Sequence, residues 1–220
     1  MITQEYNFLR CDYSLEDTTE YLREVIRKKY TEADVSQIFE AFTLAGYEHR
    51  GQYRADGLPF IIHPMRVALM LVHFDRNITS KVFIAALLHD TLEDTDLSES
   101  VIEGKFGKYV AKLVQSVTIR YETQDFRDKK AAKLQKWREL ILSSHEARTV
   151  KTFEDLDNMI CWKTIQAGCP EYKKIPRWLE EAREMSLPLA HATNAQAYLL
   201  MQKEYEYYVE RGYTSQPITL

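Results

Sequence analysis

Apolar positions along this chain recur at the spacing of helices, and no alternating strand pattern of useful length interrupts them. From Asp34 onward, Val35, Ile38, Phe39, Phe42 and Ala45 follow the i, i+3, i+4, i+7 rule, which predicts an amphipathic helix ending near Gly46. A loop with Gly51, Gly57 and Pro59 follows, and Pro64 suits the first position of the next helix, with Val67, Ala68, Leu71 and Phe74 on one face. Thr79 or Ser80 can cap a further helix, whose run Val82-Phe83-Ile84-Ala85-Ala86-Leu87-Leu88 is apolar all round, as suits the centre of a domain. Helices are also predicted over Thr18–Tyr30, Ser98–Phe106, Lys108–Val117, Arg127–Leu142, Glu146–Trp162, Arg177–Leu187 and Asn194–Arg211. Ser143 and Glu146 have capping-box spacing, and Gly212 supplies a stop. The fold class is all-α, an irregular helical bundle.

Length and composition narrow this picture. The 220 residues suffice for one substantial core, and 45% hydrophobic with 28% charged residues is ordinary for a soluble globular protein. A formal net charge of −4 supplies no global basic field, so a nucleic-acid duplex is not the expected partner, although a few local cations can still hold a small anionic nucleotide. Cys11, Cys161 and Cys169 cannot all pair and lack close metal-ligand spacing, which points to packing residues in a reducing compartment. Without a signal peptide or a long apolar run, a cytoplasmic protein with no membrane partner is expected; self-association into a homo-oligomer is left open.

The chemistry gathers where the apolar run ends. Val82–Leu88 leads directly into His89-Asp90-Thr91-Leu92-Glu93-Asp94, and if the helix continues His89 faces Glu93 while Asp90 faces Asp94. Burying such groups costs several kcal/mol unless they are paired or bind a cation, and a divalent metal satisfies them most simply. His63, which Pro64 biases toward an extended conformation at a helix entry, offers a further imidazole, though a turn histidine reads the same way. Around residues 150–160, Val150, Phe153, Leu156 and Ile160 form the buried stripe. Glu154 and Asn158 share one flank of it, which favours Glu154 as a ligand, and Asp155 should face water. Asp157 points into the stripe, either as a second polar member of the site or as a hydrogen-bonded structural residue.

These residues stand in an order that resembles a known family. His49-Arg50-Gly51-Gln52-Tyr53-Arg54, Gly57-Leu58-Pro59-Phe60-Ile61-Ile62-His63-Pro64 and Ala85-Ala86-Leu87-Leu88-His89-Asp90-Thr91-Leu92-Glu93-Asp94-Thr95 are followed by Phe106-Gly107, Val117-Thr118, Val150-Lys151, Asn158-Met159 and Leu187-Pro188-Leu189-Ala190-His191. Together they resemble the HD-type hydrolase domain of the RelA/SpoT alarmone enzymes, including the small stand-alone alarmone hydrolases. The resemblance covers residues 34–212, leaving 1–33 as an extension packed on the main body and 213–220 as a tail. It implies an enzyme holding one Mn²⁺ per chain that removes the 3′-pyrophosphate of ppGpp or pppGpp to give GDP or GTP. It implies metal ligation by His63, His89, Asp90 and Glu154, and acid/base work by Glu93 and Asp94. It further implies that Arg54 contacts guanine and Asn158 the region of the ribose, with Lys174 and Trp178 near later substrate-contacting positions. No synthetase half follows, so a hydrolase-only member is expected.

Two positions depart from the family pattern: Glu154 stands where Asp is usual, and Ala55 where Lys is usual. Arg50, Arg54 and Lys151 can neutralise substrate phosphates. Two further possibilities remain open: an HD phosphohydrolase of another nucleotide (a nucleoside monophosphate, a deoxynucleotide or NADPH), and a non-catalytic nucleotide-binding HD module.

Overall fold

The computed structural model describes residues 14–119 and 126–213, with the side chains of 126–128 left aside. Cys11, the first part of the N-terminal extension and nearly all of the expected C-terminal tail lie outside the described residues. Twelve α-helices are formed among them, with two 3₁₀ turns and one π turn. No strand is formed there, and Tyr53 and Pro59 make one isolated antiparallel bridge. The expected all-α bundle is what the chain adopts. No helix among the described residues is long and apolar enough to cross a membrane.

Helix α4 (Ser80–Leu88) runs through the middle, capped by the Thr79 side chain and buried from Val82 to Leu88. Around it pack α2 (Glu32–Glu48), α3 (Ile62–Phe74) and α7 (Lys108–Val117), and α9 (His145–Cys161) lies against both α3 and α4. With ten of its thirteen residues buried, α3 is nearly as enclosed as α4. Its boundaries differ from expectation: it begins at Ile62, placing Pro64 inside the first turn, where the missing N–H costs nothing. Helix α2 runs through Gly46 to Glu48, because Gly46 keeps helical geometry and does not take the positive φ that would end the helix.

Helix α1 (Leu15–Lys29) packs on α3, burying Leu22 and Ile26. Tyr30, just past its end, donates its hydroxyl to the Ile78 carbonyl and sets its ring edge-on to Phe83 of α4. Helices α5 (Thr91–Asp94), α6 (Glu99–Phe106) and α8 (Phe126–Ile141) follow the centre of the fold. The C-terminal part comprises α10 (Ile175–Glu181), a π turn over Ala182–Ser186, α11 (Leu187–Thr193) and α12 (Ala195–Val209), the last capped by Asn194.

One capping assignment needs correction. Ser144, not Ser143, accepts from the Ala147 N–H and caps α9, while the Ser143 hydroxyl donates back to the Leu140 carbonyl at the end of α8. The two adjacent serines divide the work of closing one helix and opening the next.

Candidate metal centre and substrate cavity

Three chain segments meet at the site. His63 comes from the first turn of α3, His89 and Asp90 from the junction between α4 and α5, and Glu154 from the middle of α9. The junction is nearly helical: His89 and Asp90 both keep αR geometry, and the Asp90 carbonyl accepts from the N–H groups of Glu93 and Asp94.

The two imidazoles are oriented from behind. His63 donates its Nδ1 proton to Asp157 at 2.7 Å, and His89 donates its own to the Ala86 carbonyl at 2.8 Å. With both Nδ1 atoms engaged, the two Nε2 atoms are left to face each other at 3.2 Å, where one proton or one cation can be shared between them. Asp90 Oδ2 stands 3.1 Å from the His89 Nε2 and 3.5 Å from that of His63. Glu154 Oε2 is 4.0 Å from the His89 Nε2. Two ring nitrogens and two carboxylates converging at this range need a shared positive charge, supplied by a proton on His89 or by a metal cation in its place. His63, His89 and Asp90 offer ligand atoms close enough to share one ion, and the mixed imidazole and carboxylate donor set suits a divalent transition metal.

The electrostatics agree with this geometry. Burial, reinforced by the Arg54 guanidinium, depresses His63 to about 4, so its ring is neutral near pH 7. Burial also opposes charge on His89, but Asp90 and then Glu154 outweigh it and raise the ring to about 9. The negative field that draws a proton to His89 would draw a cation in its place. Asp90 stays well below the ordinary carboxylate range despite its burial, held there by the two histidines and Lys151. Burial pushes Glu154 up, against the pull of Lys151 and His89.

Asp157 answers the question its sequence position left open. It is fully buried and, besides accepting from His63, pairs with Arg66 Nε at 2.7 Å and stands 3.7 Å from the Arg54 guanidinium. Burial resists its charge, but Arg66, His63 and Arg54 hold it well below the usual range. It therefore orients a candidate ligand. Arg66, itself only 1% exposed, is the partner that sequence reading missed, since nothing in the chain's order marks a residue of α3 as the counter-ion of one in α9.

Beside these groups opens a cavity of about 470 Å³, within the usual range for small-molecule sites. Asp90, Glu93, Lys151, Glu154 and Asn158 line it, together with Arg54 and Ala55. A tight turn aims Arg54 inward: its N–H bonds the Leu58 carbonyl, and Gly57 supplies the positive φ of 85° that closes the turn. The Arg54 guanidinium donates to Asn158 Oδ1 at 3.2 Å. Lys151 bonds Glu154 and stands 3.2 Å from Asp155, and these carboxylates overcome its burial to raise its pKa well above the ordinary value. Contrary to the helical-wheel expectation, Asp155 also lines the cavity, drawn there by Lys151.

Glu93 accepts from the Ile119 N–H at 2.9 Å, and its partial enclosure pushes its carboxyl up to about 7, against the Ile119 bond and Lys151. Solvent still reaches the residue, so it can exchange protons. Asp94 is raised by burial and by Asp90, but lies outside the cavity lining; its backbone carbonyl accepts from the Gln52 side chain. Arg50 and Lys174 are also outside the lining. Arg50 stacks its guanidinium 4.2 Å over the Tyr47 ring, and Lys174 stands 3.3 Å from Glu171. Sequence reading overlooked Lys133, Lys136 and Trp137 of α8, together with Trp162, which also line the cavity. Their only signal was the spacing 133, 136, 137, 140, which in a lysine-rich helix looks like a solvated face.

Comparison with known proteins accords with this architecture. An HD-domain family model matches residues 41–185, and the chain belongs to the HD-domain family. It is 32% identical over 170 residues to the guanosine-3′,5′-bis(diphosphate) 3′-pyrophosphohydrolase of Vibrio cholerae serotype O1, covering 77% of this chain and 23% of that protein. To the protein of the same name from Aquifex aeolicus it is 38% identical over 162 residues, covering 70% of this chain and 21% of that one. The chain thus spans under a quarter of the length of these curated relatives. A solved structure described as a metazoan ortholog of SpoT that hydrolyzes ppGpp superposes with a TM-score of 0.67 at 27% identity, covering 81% of this chain and 97% of that one.

Proposed function

We propose that this chain is a metal-dependent phosphohydrolase that removes the 3′-pyrophosphate of ppGpp or pppGpp, leaving GDP or GTP. The observation that carries the metal-dependent part is the facing pair of imidazole Nε2 atoms at 3.2 Å, with both Nδ1 atoms engaged and Asp90 alongside. The relatives named for this reaction, and the metazoan structure described as hydrolysing ppGpp, support the choice of substrate.

His63, His89, Asp90 and Glu154 would hold one divalent ion, Mn²⁺ in this reading. A bound divalent ion of this kind acidifies water and polarises a phosphoryl oxygen. The chain's own residues supply the rest. Hydrolysis of the 3′ ester requires a proton to leave the attacking water and another to reach the departing 3′ oxygen. Glu93, which lines the cavity with a carboxyl raised to about 7, is suited to both transfers near neutral pH, and Asp94 is the second candidate. Lys151 and Arg54 meet phosphate charge, Arg54 contacts the base, and Asn158 holds the ribose side. Arg50 and Lys174 would contribute from outside the cavity wall.

Incubation of purified protein with Mn²⁺ and a nucleotide panel, with products resolved by ion exchange, tests the reading. Release of pyrophosphate and GDP from ppGpp is expected. Survival of ppGpp beside consumption of a nucleoside monophosphate, a deoxynucleotide or NADPH would replace the substrate, and consumption of none of them would leave a binding module.

A further inference from the structure

A helix that closes a cavity usually turns its apolar stripe inward, because burial of that stripe is what holds it. Helix α8 does so with Trp137 and Leu140 but adds two lysines to the same face. Its inward stripe, at one-turn spacings, is Lys133, Lys136, Trp137 and Leu140, and all four side chains line the cavity. Lys133 keeps only 28% of its side-chain exposure and stands 2.7 Å from Glu181 of α10. Lys136 donates to the Gln115 carbonyl of α7 at 3.0 Å. Trp137, beside them, is fixed by its indole N–H on the Met185 carbonyl. Two lysines drawn partly out of water and steadied from different neighbouring helices are an arrangement that an anionic ligand would favour.

The other two cations of the lining are held by groups of the candidate metal centre and its neighbours. Arg54 is shared between Asn158 and Asp157, and Lys151 between Glu154 and Asp155. Those partners surround the candidate metal centre. A polyphosphorylated substrate brings more negative charge than the reacting group alone, so charge remote from that centre needs a counterpart. We propose that Lys133 and Lys136 form an anion subsite that binds the phosphates not undergoing hydrolysis and thereby selects a polyphosphorylated nucleotide. The adjoining tryptophans, including Trp162 stacked on Trp178 with centroids 5.4 Å apart, make the surroundings less polar and so strengthen the pairing. The assignment rests on the nucleotide reading for its substrate, while the subsite itself rests on α8.

The test uses the full chain with saturating Mn²⁺. Steady-state kinetics on ppGpp are compared for wild type, K133Q/K136Q and K133R/K136R, and calorimetric titration with inorganic tripolyphosphate measures anion binding without a nucleotide. The glutamine pair should raise KM about tenfold or more with kcat changed less than about threefold, and should weaken tripolyphosphate by a similar factor. The arginine pair should restore most of both losses, because it keeps the charge. If the double glutamine variant does not fold, K136Q alone carries the same comparison. Unchanged KM and tripolyphosphate affinity in the folded glutamine variant would overturn the subsite while leaving ppGpp hydrolysis intact. Losses that arginine does not restore would overturn it too, since they would trace to the bonds with Glu181 and Gln115. Conversely, a wild-type chain that leaves ppGpp intact but loses tripolyphosphate binding in the glutamine variant would overturn the ppGpp reading and keep the subsite.

Discussion

His63 keeps its Nε2 directed at the candidate ion because its Nδ1–H donates to Asp157, and Asp157 is in turn fixed by Arg66. All three side chains are at most 2% exposed, so the arrangement lies wholly within the core. Removing the carboxylate in Asp157→Ala would strand buried positive charge, a loss on the order of 3–5 kcal/mol for buried pairs, and should weaken Mn²⁺ binding about 10–100-fold. Denaturant unfolding and Mn²⁺ titration check both, and an unchanged midpoint with unchanged affinity would make Asp157 a bystander. Glu93 calls for a different outcome. Glu93→Gln should fold and retain Mn²⁺ yet lose about 10²-fold or more in kcat, whereas His89→Ala should lose metal and activity together. Near-wild-type turnover in both Glu93→Gln and Asp94→Asn would show these carboxylates to be structural. At this scale the sequence revealed the His-Asp pair, because ionisable groups directly after an all-apolar run are buried at a cost that only a partner or a cation offsets. It did not reveal Arg66 or the α8 lysines, since their significance depends on partners far away in the chain.

At the scale of elements, hydrophobic period located nearly every helix, while its ends depended on local chemistry that periodicity does not carry. Ser143 and Ser144 both suit a cap, and only backbone geometry decides between them: Ser144 is extended at ψ 155°, the conformation from which a hydroxyl reaches the Ala147 N–H. Ser144→Ala should therefore cost about 1 kcal/mol of stability, and Ser143→Ala less than about half of that. Equal losses in thermal unfolding would contradict the assignment. The expected helix over Arg177–Leu187 shows a different failure. Pro188 cannot donate to the turn before it, and the chain responds by widening to a π turn in which the Leu187 N–H reaches the Ala182 carbonyl. The helical path thus continues into α11, where a proline reads as a stop. Asp155 was misplaced because a helical wheel assumes that water is the only alternative to the core. Here a cavity occupies that side, and Lys151 holds the carboxylate in its wall.

For the molecule as a whole, the centre joins α3, α4 and α9, so an ion bound there would tie together the helices that make the core. A ligand that binds only the folded chain stabilises it by about 2.7 kcal/mol at a hundredfold excess over Kd, so chelation should lower the thermal midpoint of Mn²⁺-loaded protein. The pH dependence of that effect follows from the histidines. His89 in the metal-free fold is raised from 6.5 to about 9, so its contribution to stability is fully present below 6.5 and is lost as pH rises through 9. His63, depressed to about 4, carries no proton above neutrality, and Asp90 is already ionised. Binding of the ion must therefore displace the His89 proton, and between pH 6.5 and 8.5 Mn²⁺ affinity should rise about tenfold per unit. The metal-free chain should lose stability over the same interval, so the gap between the loaded and chelated midpoints widens as pH increases. Calorimetric titration at pH 6.5, 7.5 and 8.5, with thermal unfolding of both forms, measures the two trends together. An Mn²⁺ affinity that stays level across this range would mean that His89 holds no proton for the ion to displace, and the ligand would have to be sought elsewhere in the cavity wall.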